Sequence, residues 1–379
     1  MTDEAEILSI FENIYRIREG VIIESAPGRV NIIGEHTDYN EGYVLPTPIG
    51  KRIWVAARKR TDSEFRLYAH DYREKHSFAL GGQTFSEKTR WANYVMGVID
   101  ALQRKGYRLG GADLAIKGDV PQSAGLSSSA ALEVATARAL KGLFDLELNP
   151  VELAYIGKSA ENDFIGLQSG IMDQFCSSLG KQGQALLIDC RDNAYRNIKI
   201  PWGNTLVAVH TGIRRKLDSS AYNERVQECR EGVVALRQVR PEIVSLRDAT
   251  MKDLEAVEGK LPDVIYRRCR HVVRENARVL SAVGAMETNI GAKLGALMYE
   301  SHVSLRDDYG VSCPELDTLV KISMETGYVL GARLTGAGFG GCTINLLPRH
   351  NLGDFIQEVP TRYREATGLE PEVYPVQPQ

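Results

Sequence analysis

The sequence predicts a mixed α/β chain, α+β in class, built around two cores. Three observations point there. Strand-like alternation of apolar and polar residues, as over 112–120, recurs beside stretches whose apolar residues fall at helical spacing. A serine- and glycine-rich stretch, 118–133, joins one such strand directly to a helix. Finally, 379 residues are more than a single hydrophobic core ordinarily holds.

Composition narrows the function classes. With 43% hydrophobic and 25% charged residues the chain reads as a soluble globular protein. Its 46 basic and 49 acidic residues leave a net charge of −3, with no general pull toward nucleic acid or an anionic membrane. Any anionic ligand must therefore be held by local arrangement. The N-terminal stretch is acidic, and Ile7, Leu8, Phe11, Ile14 and Tyr15 give it the stripe of an amphipathic helix rather than the basic start of a secretory signal. No apolar run nears the roughly 18 residues of a membrane span. The expectation is a cytoplasmic protein with no nucleic-acid or membrane partner. Six cysteines without a C-x-x-C spacing read as ordinary buried thiols.

In chain order, a short strand over 21–26 precedes Pro27-Gly28, and Val30, Ile32 and Ile33 resume strand character up to Gly34. Glu35, His36 and Asp38 then fall within four residues beside Tyr39-Asn40. Carboxylates and an imidazole at that density suit the vicinal hydroxyls of a sugar; a solvated turn accounts for them equally well. Residues 51–80 alternate as strands, and Lys51, Arg52, Arg58, Lys59 and Arg60 make a solvated edge. Trp91, Tyr94, Val95, Val98, Ile99 and Leu102 form the stripe of a core-facing helix.

The strand over 112–120 stops at Pro121. Ser123, Ala124, Gly125, Leu126, Ser127, Ser128 and Ser129 lead into a helix reaching about Leu143, with Leu132, Ala135 and Ala139 on its stripe. Serines ahead of a helix are a capping signal. They equally suit an anion held by backbone N–H groups at a helix N-terminus. The loop lacks the lysine of a Walker A sequence. A further helix over 151–164 carries Glu161 near its end, and a glycine-bearing segment follows with the lone carboxylate Asp173, by itself an ordinary cap or surface residue. Polar, turn-rich composition over 192–204 suggests a boundary, giving domains 1–195 and 196–379. Beyond it come a strand over 206–210, scaffold helices over 266–283 and 292–304, and the glycine-dense GARLTGAGFGG ahead of a strand over 343–347.

Four stretches carry a resemblance. Pro121, Gly125, Leu126 and Ser127 to Ala130 match the P-x-x-x-G-L-[GS]-S-S-A core of the GHMP kinases, with Ala124 as a small-residue variant. Gly28 to Pro46, GRVNIIGEHTDYNEGYVLP, resembles the sugar motif of the galactokinase branch almost residue for residue. Gly170-Ile171-Met172-Asp173 is similar to that branch's aspartate segment, and the GARLTGAGFGG stretch to the third GHMP motif.

The resemblance implies a two-domain GHMP kinase fold. A ribosomal S5-like N-terminal domain would join a ferredoxin-like C-terminal domain, with the active site between them. It implies transfer of the γ-phosphoryl of ATP to the anomeric hydroxyl of α-D-galactose, the first step of galactose catabolism, with Mg²⁺ as cofactor. Carried over by position, Asp173 and Arg29 are catalytic, and Glu35, His36, Thr37, Asp38, Gly170 and Tyr222 bind sugar. Ser123 to Ser129 hold the nucleotide phosphates, and Ser129 and Glu161 hold the metal. Asp173 would act either as a general base or as an orienter of the hydroxyl. Ser169 stands where many relatives carry Cys, a conservative change, and the W-x-N-Y segment at Trp91 lies near the nucleotide in similar proteins. Small-molecule substrates are the expected partners, in a monomer or weak dimer. Other sugars, and a non-catalytic sensor of galactose and ATP, are the rival readings; an uninterrupted serine loop with Arg29 and Asp173 in place argues against the sensor.

Overall fold

The computed structural model describes residues 3–122, 124–213 and 219–376. It opens with α1 (Asp3–Tyr15), β1 (Ile22–Asn31), β2 (Tyr43–Val44), β3 (Pro46–Lys59), β4 (Glu64–Ala69) and β5 (Glu74–Ala79). Next come α2 (Ala92–Arg104), β6 (Ala112–Gly118), α3 (Ser128–Phe144), α4 (Pro150–Ser159) and α5 (Met172–Leu179). Strands β7 (Gln184–Asp189), β8 (Tyr195–Lys199) and β9 (Asn204–His210) precede helices α6 (Ser219–Leu236), α7 (Met251–Glu255), α8 (Asp263–Glu287) and α9 (Gly291–Ser304). The chain finishes with α10 (Pro314–Glu325), β10 (Gly331–Thr335), β11 (Cys342–Pro348), α11 (Leu352–Thr367) and β12 (Glu372–Pro375). Two compact units interleave in sequence. Met1–Gly28, Lys51–Pro121 and Ser127–Leu179 form the first; Arg29–Gly50, Gln122–Leu126 and Gly180–Gln379 form the second.

The first unit is built on a sheet of order β1-β3-β6-β4-β5, mixed in sense: β3 runs antiparallel to β6, and β4 runs parallel to it. Helix α1 forms because Ile7, Ile10 and Phe11 repeat at helical spacing, and Asp3, Glu4 and Glu6 sit where its dipole favours negative charge. Its apolar stripe buries against Ala56 of β3 and Ala115 of β6. Strand β1 runs straight through Pro27-Gly28, where the sequence reads as interrupted. It lies at the sheet edge, the place in a sheet where proline is tolerated. Helix α3 buries Ala130, Ala131, Val134, Ala135, Ala137 and Ala139, small side chains on several faces, as a central helix requires.

One expected helix ends differently from its sequence pattern, and α9, which ends at Ser304 as expected, continues beyond it. The helix expected over 151–164 is α-helical from Pro150, started by a capping box of Asn149 and Glu152, but it changes to a π turn over Ala160–Ile165. Helix α9 likewise passes into a π turn over Leu305–Tyr309. Such turns are rare, carry a register shift that periodicity does not report, and concentrate at functional sites.

In the second unit an antiparallel sheet of order β10-β11-β9-β12 has one face packed on α10 and α11. Val207 and Val209 of β9 meet Leu319, Val320, Phe355, Val359 and Tyr363 there. A second cluster joins α6, α8 and the π turn through Cys229, Leu236, Cys269, Val272, Leu305 and Tyr309. A smaller sheet, β2-β7-β8, lies in the same unit.

Helix α9 crosses the start of β10 with no room for a side chain: a Cβ on Gly295 would lie 2.1 Å from the Leu330 carbonyl oxygen. Gly284 of α8 has nothing within 4 Å of such an atom. Gly295→Ala is therefore expected to destabilise by roughly 1–3 kcal/mol or more, because backbone has to move. Gly284→Ala is expected to stabilise by about 0.5–1 kcal/mol through helix propensity. Urea unfolding of the two variants checks the pair, and equal effects would refute the packing argument.

Candidate active site

In the first unit the serine loop enters α3 without the side-chain cap its composition suggests. Ser127 sits at the N-cap position with φ 57° and ψ 48°, left-handed, and makes no capping hydrogen bond. Its hydroxyl instead donates to Asp173 Oδ2 at 2.6 Å. The plain capped-loop reading therefore fails at Ser127, whose side chain takes none of the N–H groups of the first turn of α3. Asp173 is half-buried in the first turn of α5, three residues after the buried Gly170.

Ser129, on the first turn of α3, donates to Glu161 Oε1 at 3.1 Å. Glu161 lies on the π turn, buried, and its other oxygen accepts from Ser169 (2.6 Å) and from Gln174 Nε2 (3.1 Å). Ser169 thus supplies a strong hydroxyl donor to the carboxylate. Gln174 Nε2 also donates to Glu133 Oε2 at 3.0 Å, joining two buried carboxylates. Burial pushes both carboxyls up; at Glu161 the hydroxyl of Ser169 opposes this and the charge of Asp173 adds to it. A hydroxyl and a carboxylate oxygen so placed are hard donors of the kind Mg²⁺ shares with phosphate oxygens. Among the described residues no group of three or more His, Cys, Asp or Glu side chains is placed to hold a metal. A cation at Ser129 and Glu161 would complete its shell with ligand or water oxygens, which fits Mg²⁺. Trp91 takes the core-facing role, buried before α2 with its indole N–H donating to Glu74 at 2.8 Å.

In the second unit, Arg29 is 4% exposed and its backbone N–H donates to Leu126 O (3.0 Å). Its guanidinium donates to Gly125 O at 2.7 Å, so the arginine of the sugar motif holds the loop residues Gly125 and Leu126. Gly341 closes on the same loop: a Cβ there would stand 3.0 Å from Ala124 O, and its φ of +85° excludes most other residues. Ser123 lies outside the described residues.

The sugar motif is held from several sides within this unit. Glu35 is buried, and its carboxylate accepts from Arg333 Nη2 (2.7 Å), the Gly336 N–H (2.6 Å) and Asn31 Nδ2. Burial pushes this carboxyl up, against the pull of Arg333. His36 has φ 62°; its Nδ1 meets Tyr39 Oη at 2.7 Å and its Nε2 meets Ala337 O at 3.2 Å. Thr37 is buried, with its hydroxyl between the carbonyls of Gly34 and Tyr43. Asp38 is half-buried, at the start of a 3-10 turn (Asp38–Asn40). The ring of Tyr222 lies 5.8 Å from that of His36 and 5.4 Å from that of Tyr39. Glu35, His36, Asp38 and Tyr222 are thus gathered, with Glu35 and His36 engaged by protein partners.

Helix α8, scaffold by its pattern, does more than pack. His271 Nε2 donates to the Glu35 carbonyl (3.1 Å), Glu275 accepts from the Gly34 N–H (2.9 Å), and Asn276 Oδ1 accepts from the Tyr43 N–H (2.9 Å). Sequence reading missed these residues, Arg333, Glu133 and Gln174. A signal existed for two of them: His271 and Glu275 stand four apart beside the buried Val272 and Val279.

Models of known families match the chain. The GHMP kinases N terminal domain matches residues 93–181 and the GHMP kinases C terminal model matches 282–365. Mevalonate kinase of Methanococcus jannaschii shares the fold at TM-score 0.66 and 20% identity, over 95% of this chain and 98% of that one. The class is therefore the two-domain GHMP kinase fold, α+β as expected. A third model, the galactokinase galactose-binding signature, matches residues 9–59. Galactokinase of Roseiflexus sp. (strain RS-1) is 46% identical over 374 residues, 99% of this chain and 95% of its own. Galactokinase of Chloroflexus aggregans is 44% identical over 346 residues, 91% and 89% of the two chains. The structure of Lactococcus lactis galactokinase complexed with galactose matches at TM-score 0.95 and 37% identity, over 99% of this chain and 98% of that one. The chain belongs to the galactokinase family.

Arg333 and Glu35 form an ion pair with both side chains buried. Arg333→Met leaves a buried carboxylate unpaired and is expected to cost about 3–5 kcal/mol in urea unfolding; a loss below 1 kcal/mol would show the pair to be dispensable. Acid should weaken the same region in two stages. Burial holds His271 at about 4, below its ordinary 6.5, so the unfolded chain takes up a proton there first and stability falls from pH 6.5 toward 4. At Glu275 burial acts upward, but Arg278, His271 and Arg333 outweigh it and hold the carboxyl at about 2 against 4.5, so its contribution is lost between pH 4.5 and 2. Unfolding free energies measured across pH 4–7 should flatten in His271→Asn; an unchanged slope would remove His271 as the source.

Proposed function

We propose that this chain transfers the γ-phosphoryl of ATP to the anomeric hydroxyl of α-D-galactose, giving galactose 1-phosphate and ADP, the first step of galactose catabolism. The observation that carries the reading is the hydrogen bond from Ser127, at the start of the phosphate-loop helix, to Asp173. It ties the residue type that would meet the sugar hydroxyl to the loop that would meet the phosphates. Family membership and the galactose-binding signature over residues 9–59 support the choice of sugar.

In this reading the O–P bond forms between the anomeric oxygen and the γ-phosphorus as the bond to the β–γ bridging oxygen breaks. The hydroxyl proton passes to Asp173 or, if Asp173 only orients the hydroxyl, leaves late onto phosphate. Ser123 to Ser129 hold the phosphates through backbone N–H groups and hydroxyls, and Arg29 offsets charge that develops on the transferring group. Ser129 and Glu161 hold Mg²⁺, which when bound neutralises phosphate charge. Glu35, His36, Thr37, Asp38, Gly170 and Tyr222 are the residues that would bind the sugar. Asp38 and Tyr222, both half-buried, keep part of their surface for hydroxyls, while Glu35 and His36 set the shape of the turn. In sequence the division falls between residues 1–195, which carry the sugar motif and phosphate loop, and 196–379, while Arg29–Gly50 and Gln122–Leu126 pack with the second unit. The enzyme would act in the cytoplasm as a monomer or weak dimer, a setting consistent with six free cysteines.

Purified protein with MgATP and a sugar panel is expected to release ADP only with galactose, and to stop when Mg²⁺ is chelated. Release with a different sugar alone would move the substrate, and silence with galactose still bound would make the protein a sensor. Asp173→Asn is expected to bind galactose nearly as the parent does while turnover falls about 10²–10⁴-fold. Retention of most activity would remove Asp173 from the mechanism.

A further inference from the structure

A file of hydrogen bonds runs through the second unit from Cys229 on α6 to the His36 ring. Cys229 Sγ lies 3.3 Å from Tyr309 Oη, Tyr309 Oη lies 2.6 Å from Tyr39 Oη, and Tyr39 Oη lies 2.7 Å from His36 Nδ1. The far ring nitrogen, Nε2, faces the carbonyl oxygen of Ala337 at 3.2 Å. Cys229 and Tyr309 are buried in the cluster that joins α6, α8 and the π turn. Tyr309 itself ends the π turn Leu305–Tyr309, and that register places its hydroxyl in the file.

In the neutral state the directions along the file follow from the Ala337 carbonyl at its end. A carbonyl oxygen only accepts, so Nε2 of His36 carries hydrogen. In the neutral ring Nδ1 then accepts, and the O–H of Tyr39 donates to it. The Tyr39 oxygen accepts from Tyr309, and the Tyr309 oxygen accepts from the Cys229 thiol. Burial holds both tyrosine hydroxyls well above their ordinary range and Cys229 at about 11, so each keeps its one hydrogen at neutral pH. Asn40 closes the loop from the other side, donating to the His36 carbonyl at 2.9 Å and hydrogen-bonding Cys229. His36 needs this support because its backbone is left-handed, a conformation a non-glycine residue keeps only when its surroundings impose it. The rings of Tyr309 and Tyr222 flank it, with centroids at 4.6 and 5.8 Å.

We propose that Cys229, Tyr309 and Tyr39 are positioning residues that, together with the Ala337 carbonyl at the other ring nitrogen, hold His36 in its Nε2–H tautomer and so hold the Glu35–Asp38 turn in the form that receives the sugar. The inference rests on the reading of that turn as the sugar motif. It predicts an effect on sugar affinity with the phosphoryl-transfer step left alone, since none of the three residues meets the serine loop's partners described above. Tyr39→Phe removes the donor to Nδ1; Tyr309→Phe removes the next link; Cys229→Ser keeps a donor at the head of the file.

Histidine ¹⁵N–¹H spectra of the sugar-free full-length protein read the lock directly, with His36 signals identified by their loss in His36→Gln. The parent and Cys229→Ser should show one tautomer, protonated at Nε2. Tyr39→Phe should show a mixture of tautomers. In Tyr39→Phe and Tyr309→Phe the KM for galactose should rise about tenfold, the scale of one buried hydrogen-bond donor lost, with kcat and the KM for ATP within about twofold. Should either variant fail to fold, the other, together with Cys229→Ala against Cys229→Ser, reads the same file. A single tautomer retained in Tyr39→Phe, or an unchanged galactose KM once the lock is lost, overturns the proposal. Loss of kcat and both KM values together would also overturn it, as a merely structural effect. A parent protein that turns over no galactose refutes the sugar reading instead, while its tautomer still tests the lock.

Discussion

The buried pair of Glu35 and Arg333 is the interaction on which the second unit's site depends. Two charges removed from water are stable only when their remaining hydrogen-bonding capacity is also met. Here the Glu35 carboxylate is met by Arg333, the Gly336 N–H and Asn31, while Arg333 also donates to the carbonyls of Asn31 and Ile32. That arrangement fixes the end of β1 to the end of β10. It thereby fixes the sugar motif to the glycine-rich motif some 300 residues later in the chain. The glycines of that second motif are then explained by approach distances: Gly341 has the Ala124 carbonyl where a side chain would begin.

The first unit poses the opposite electrostatic problem. Glu133, Glu161 and Asp173 put three carboxyl groups into mutual influence with a single amide, Gln174, bridging two of them. Burial and the neighbouring negative charge push the Glu133 and Glu161 carboxyls up, so a cation placed there would be favoured. The serines contribute as hydroxyl donors, Ser127 to Asp173, and Ser129 and Ser169 to Glu161. A helix cap would have used one of those hydroxyls on backbone and left a carboxylate less supported.

Much of this was legible in the chain. The amphipathic stripe of α1, the core-facing α2 and the strand that ends before Pro121 follow from periodicities of 3.6 and 2. The three GHMP motifs and the longer sugar motif carried the family. Periodicity did not carry the π turns at Ala160–Ile165 and Leu305–Tyr309, because each changes register in a segment whose apolar spacing still reads as α-helix. Those turns place Glu161 and Tyr309. Nor did it carry the polar side of α8, where His271, Glu275 and Asn276 bond to backbone groups of the sugar motif more than 230 residues away in sequence.

The sequence by itself determined the residue types and their local order: which glycines, serines and carboxylates stand together, and hence the class of chemistry. Local order is a short-range property, and motif residues a few positions apart remain neighbours in any fold. Tertiary structure alone decided which of them hold partners from distant segments. Glu35 and His36 turned inward to Arg333 and Tyr39, and Ser127 turned from its helix to Asp173. Those choices depend on partners brought in from distant segments, whose positions are set by burial of the two cores and not by anything written beside the motif.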